Sequence, residues 1–69
     1  MNSEDMRFLL KKYMADQHID DFKQLAKLTG IKYQTLLDHL DRPDLFRRFE
    51  LRTIIEVLQI SSEDQLKLI

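Results

Sequence analysis

Asp21-Phe22-Lys23-Gln24-Leu25-Ala26-Lys27-Leu28-Thr29-Gly30, continuing as Ile31-Lys32-Tyr33-Gln34-Thr35-Leu36-Leu37-Asp38-His39-Leu40, is the stretch on which the fold turns. Asp21 followed three residues later by Gln24 is a capping-box pattern, which satisfies orphan amides where a helix begins. Behind it, Phe22, Leu25, Ala26 and Leu28 supply an apolar face. The segment stops at Thr29-Gly30. This is the chain's single glycine, and it stands where a left-handed residue is wanted after a helix, a conformation only glycine takes cheaply. A second helix is expected from near Lys32, anchored by Ile31, Leu36, Leu37 and Leu40. It ends before Asp41-Arg42-Pro43, because the residue preceding proline is pushed out of helical geometry.

Outward from that stretch the periodicity stays helical. Ser3 is the expected N-cap of a first helix, with Glu4 and Asp5 where the dipole favours anions. Met6, Leu9, Leu10 and Tyr13 form its apolar stripe, running to about Gln17, and Ile19 is an apolar plug in the turn that follows. On the other side, a loop of roughly Arg42 to Arg48 leads to a fourth helix carrying Leu51, Ile54, Ile55 and Leu58. Ile60 plugs the core again. Ser61 or Ser62 caps a last short helix, on which Leu66 and Ile69 are expected to face inward. Alternation is never sustained and β-branched residues are few, so no strand is expected. The expectation is an all-α, compact bundle of four to five short helices, one domain over residues 1–69. At its centre, small Ala26 permits a steep helix crossing, Gly30 the sharp turn, and Ile31 a sealed corner. That is a helix-turn-helix, whose second helix can lie in a DNA major groove.

Composition narrows the function. Sixty-nine residues bury only ~60% of their unfolded surface, too little for an elaborate catalytic pocket. The chain has no cysteine, which excludes disulfides, thiolate metal sites and a cysteine nucleophile. His18 and His39 are isolated, so no metal site is expected, and no glycine-rich phosphate loop is present. Neither an enzyme, a cofactor nor a small-molecule substrate is expected. No apolar run approaches the ~20 residues that cross a bilayer, and the start is acidic and polar, so a cytoplasmic location is expected. The net charge of −1 conceals an uneven distribution. Residues 22–52 hold seven basic side chains against four acidic, a balance of +3, while the flanks 1–21 and 53–69 are each −2. A phosphate-facing patch requires such a concentration.

Residues 21–66 resemble the lambda repressor-like, Cro-type helix-turn-helix domains. The likeness rests on Asp21 to Ala26, Gly30-Ile31, Leu36, the Leu51/Ile54/Ile55/Leu58 helix, the Leu58-to-Ser61 close and Leu66. Gly30 to Leu36 is also similar to the recognition segment of lactose-repressor-type regulators, which carry tyrosine, glutamine and threonine at these positions. The resemblance implies four or five short helices and dimeric binding of operator DNA. Three residues depart from the pattern. Phe22 replaces a frequent glutamine, Lys32 replaces a Ser or Thr cap, and Asp38 replaces a basic or neutral groove residue.

These readings give a candidate interface. On a recognition helix of about 32–40, Gln34 can bond an adenine edge in bidentate fashion. Tyr33 can touch a thymine methyl or a phosphate, or pack over the turn. Asp38 would be repelled by phosphates unless it accepts from a cytosine amine. Lys32 and Thr35 suit the phosphate backbone, as do Lys23 and, with less support, Lys27. Arg47 and Arg48, with Arg42 and Arg52 nearby, flank the next helix; the competing explanation is pairing with Asp41, Asp44 and Glu50. Leu37 is placed on the outer side of the helix. Phe46 and Phe49 either fill the core edge or, with Leu66, Leu68 and Ile69, form an apolar surface for a second copy or another protein. Double-stranded DNA bound by a homodimer is the expected partner. The competing expectation is the same fold used as a protein-interaction module.

Overall fold

The structure, a computed structural model, is described for residues 1–68. Five α-helices and one 3-10 turn follow in order: α1 (Ser3–Asp16), α2 (Phe22–Thr29), α3 (Tyr33–Asp41), the 3-10 turn (Pro43–Leu45), α4 (Arg48–Leu58) and α5 (Ser62–Leu68). The all-helical class is as the sequence implies, and among the described residues there is no strand.

Local chemistry accounts for the boundaries. The cap of α1 is Asn2 rather than Ser3: its Oδ1 accepts from the Asp5 N–H at 2.8 Å. At α2, Asp21 Oδ1 accepts from the Gln24 N–H at 2.8 Å, while Gln24 Oε1 accepts from Asp20, one residue before the cap. Gly30 ends α2 in the left-handed region, φ 76° and ψ 8°, and its N–H donates to the Ala26 carbonyl. Thr29 supports the same turn, its hydroxyl donating to the Leu25 carbonyl at 2.9 Å. Of the two serines before α5, Ser61 is the cap, its Oγ accepting from the Asp64 N–H at 3.2 Å.

The buried core draws on α1 to α4; neither the 3-10 turn nor α5 buries a residue fully. Met6, Leu10 and Met14 of α1 meet Leu25 and Ala26 of α2, Leu36 and Leu40 of α3, and Ile54 and Leu58 of α4. Ile19, Phe46 and Ile60 close it from the connections. Leu10, Leu25, Leu36, Leu40, Ile54 and Leu58 are wholly excluded from water, each burial contributing about 1.5–3 kcal/mol.

Two apolar residues fall outside the face expected of them. Leu28 is 53% exposed, because a residue two beyond Ala26 lies about 200° around the helix from it. Leu66 is 74% exposed, and half-buried Leu68 makes the apolar contact of α5 instead. Ile69 lies outside the described residues. A polar clasp joins α5 to α1. The Tyr13 hydroxyl donates to Asp64 Oδ2, accepts from the Ser61 N–H at 3.2 Å, and lies 3.1 Å from the Ser61 hydroxyl. Lys67 Nζ sits 3.1 Å from Asp64 Oδ1. The Tyr13 bond, then the Lys67 bond and the charges of Lys67 and Lys12, hold the Asp64 carboxyl below its usual range. No described helix is long and apolar enough to cross a membrane.

Candidate nucleic-acid interface

α3 is pinned from behind and open in front. Leu36 and Leu40 are fully buried, so the opposite side of the helix is necessarily presented outward. There Tyr33 is 43% exposed, Gln34 and Asp38 are exposed, and Thr35 is half-buried. Leu37 was expected on that outer side; it is half-buried and packs against the core. Gln34 Nε2 donates to Asp38 Oδ1 at 3.1 Å, one turn along the same stripe. Two expected base readers are thus bonded to each other. Lys32 precedes α3 in extended geometry and supplies no side-chain cap, so the first amides of the helix receive no acceptor from it.

Exposed cations stand on the neighbouring elements: Lys23 and Lys27 on α2, Lys32 in the turn, Arg42 and Arg47 in the connection, and Arg48 and Arg52 on α4, the last two lining a groove with Leu68 of α5. Two of the three acids that could have neutralised them are engaged elsewhere. Asp41 takes Arg7 of α1, and Glu50 takes His39 together with the Arg47 backbone N–H. Among the described residues none of the seven cations of 22–52 forms a side-chain ion pair. Pairing with neighbouring acids is therefore not the arrangement the chain adopts.

The two aromatics of the connecting region part company. Phe46 fills the core edge at 9% exposure, its ring set edge-on to His39 with centroids 5.3 Å apart, which removes it from the expected partner surface. Phe49 points outward at 61% exposure. Leu66 is also exposed, Leu68 is half-buried, and Ile69, expected in the same surface, is not among the described residues.

Three features had no place in the sequence reading. Phe8 is 74% exposed on α1, Arg7 ties α1 to the end of α3 through Asp41, and His39 faces Glu50 in the interior. Only Glu50 carried a readable signal, three residues after the helix cap Arg47, whose N–H its Oε1 accepts at 2.9 Å. Among the described residues no group of three or more His, Asp or Glu side chains is placed to hold a metal ion.

A short helix, a left-handed glycine turn and a second helix with an exposed outer face define a helix-turn-helix protein. The chain belongs to the Cro/C1-type HTH DNA-binding domain family, which it matches over residues 9–69. None of the curated proteins and none of the solved structures gives a significant match. The family is a DNA-binding one.

Proposed function

We propose that this chain is a sequence-specific transcriptional regulator, phage- or prophage-like, that binds double-stranded DNA in the cytoplasm as a homodimer, with residues 1–69 forming a single domain. The observation that carries this reading is that, among the described residues, none of the seven exposed cations of residues 22–52 has a side-chain ion-pair partner. α3, as part of a recognition helix of about 32–40, enters the major groove. Lys23, Lys32, Thr35, Arg47 and Arg48 hold phosphates; Tyr33, Gln34 and Asp38 read bases. Because the Gln34 amide is already bonded to Asp38, base reading exchanges that bond for one to an adenine edge. A single reading helix spans few base pairs, so useful affinity calls for two subunits on paired half-sites.

Fluorescence-anisotropy titration against random duplex DNA at low and near-physiological salt is the test. Binding should weaken steeply with salt, and Arg47→Ala/Arg48→Ala should flatten the log–log slope by about 2. Gln34→Ala should alter site preference after operator selection while leaving that slope unchanged. Absence of binding even at low salt would sink the reading. The alternative is then a protein-interaction module, favoured by the outward Phe8, Phe49 and Leu66.

A further inference from the structure

His39 and Glu50 face each other across the junction between the end of α3 and the start of α4. Their side chains are 15% and 7% exposed, and Nδ1 of the imidazole lies 3.1 Å from Oε1 of the carboxylate. The same oxygen accepts the Arg47 N–H at 2.9 Å, so one atom links the last turn of α3 to the residue that caps α4. A buried carboxylate needs hydrogen-bond partners; the Arg47 N–H is one, and the imidazole stands within reach of becoming another. The Glu50 carboxylate also sits at the beginning of α4, where the helix dipole favours an anion.

The contact is close but not aligned. Nδ1 is shielded from solvent and has no hydrogen bond of proper geometry, despite its 3.1 Å approach to Glu50. A buried polar atom left in that state is costly, and a small rotation of α3 against the start of α4 would complete the bond. Phe46, edge-on to the imidazole, limits the directions in which the ring can turn. The link is therefore sensitive to the angle between the two elements that would carry base contacts and phosphate contacts.

We propose that His39 and Glu50 form a positioning pair that sets the reach from the outer face of α3 to Arg47 and Arg48, so that both engage one DNA segment at once. The inference rests on the DNA-binding reading. It assigns neither side chain a contact with DNA; both act through the helices they join.

Three proteins test it: the wild-type chain, His39→Leu/Glu50→Gln, and His39→Asn. The double variant keeps an acceptor for the Arg47 N–H and leaves no unpaired buried charge, so it retains the fold. His39→Asn places an amide donor where Nδ1 stands. Melting temperature, helicity and affinity for random duplex DNA across a salt series are measured for each. The double variant should melt near the wild type yet bind about tenfold more weakly, with a salt slope shallower by about 1, as for a lost phosphate contact. His39→Asn should recover most of both. A double variant that binds like the wild type overturns the pair's role alone. So do losses of binding that merely follow losses of melting temperature across all variants. A wild-type chain that does not bind at low salt overturns the DNA reading, and the positioning role with it.

Discussion

α3 and α5 are short helices of nine and seven residues, held to the rest of the chain by opposite means. α3 inserts Leu36 and Leu40, both wholly buried, into the common core. α5 buries no residue fully and is held by half-buried Leu68 and the clasp of Tyr13, Ser61 and Asp64. Apolar interlocking requires no ionised group, whereas the polar clasp depends on a carboxylate staying ionised. The helix that must present side chains at fixed spacing has the first kind of attachment. The helix at the margin has the second.

The contrast can be broken most forcefully at Leu36. Leu36→Ala should lower stability by about 2–5 kcal/mol in a denaturant titration, because the surrounding helices cannot fully close the void. A loss below about 1 kcal/mol would mean that α3 is not anchored as described. Tyr13→Phe should cost about 1 kcal/mol, and the loss should be local. Hydrogen exchange should quicken for amides of 62–68 while those of α3 hold. Equal quickening in both helices would erase the distinction. Acid gives the mildest perturbation. Since the folded Asp64 carboxyl lies below its usual range, its contribution is present above the ordinary carboxylate value of about 3.9. That contribution is lost as pH falls through the lower folded value. Nuclear magnetic resonance from about pH 6 to about pH 2 should show α5 signals moving with Asp64 before those of α3. Simultaneous movement would show that α5 does not depend on its carboxylate.

The helical corner was legible because its signals are local. Asp21 capped α2 and Gly30 closed it as expected, Leu25, Ala26 and Leu36 are buried, and only the return bond of Gln24 fell one residue early, on the Asp20 N–H. Failures had two physical sources. Asn2 and Ser3 are both good caps, and only the entering backbone chose between them. Leu28 and Leu66 are apolar in identity but not in position, since composition does not specify which side of a two-turn helix meets the core. The ties Arg7–Asp41 and His39–Glu50 join residues distant in sequence, and no periodicity encodes them. Within the candidate interface, the cation cluster was readable by counting charge. That Asp41 and Glu50 would be occupied elsewhere was not, because Arg7 and His39 reach them only in the folded chain. The Gln34–Asp38 bond spans one helical turn and was readable in principle.

The clasp also has a consequence in time. Tyr13 and Ser61 stand 48 residues apart, whereas Leu25 and Leu36 meet in the core across eleven. Closing the longer loop costs ~1.3 kcal/mol more in chain entropy, and it brings no buried leucine to offset that cost. Nucleation accordingly belongs to the corner, and docking of α5 comes last. Once the chain is free to fold, α1 to α4 can collapse on one another first, and α5 joins a structure already in place.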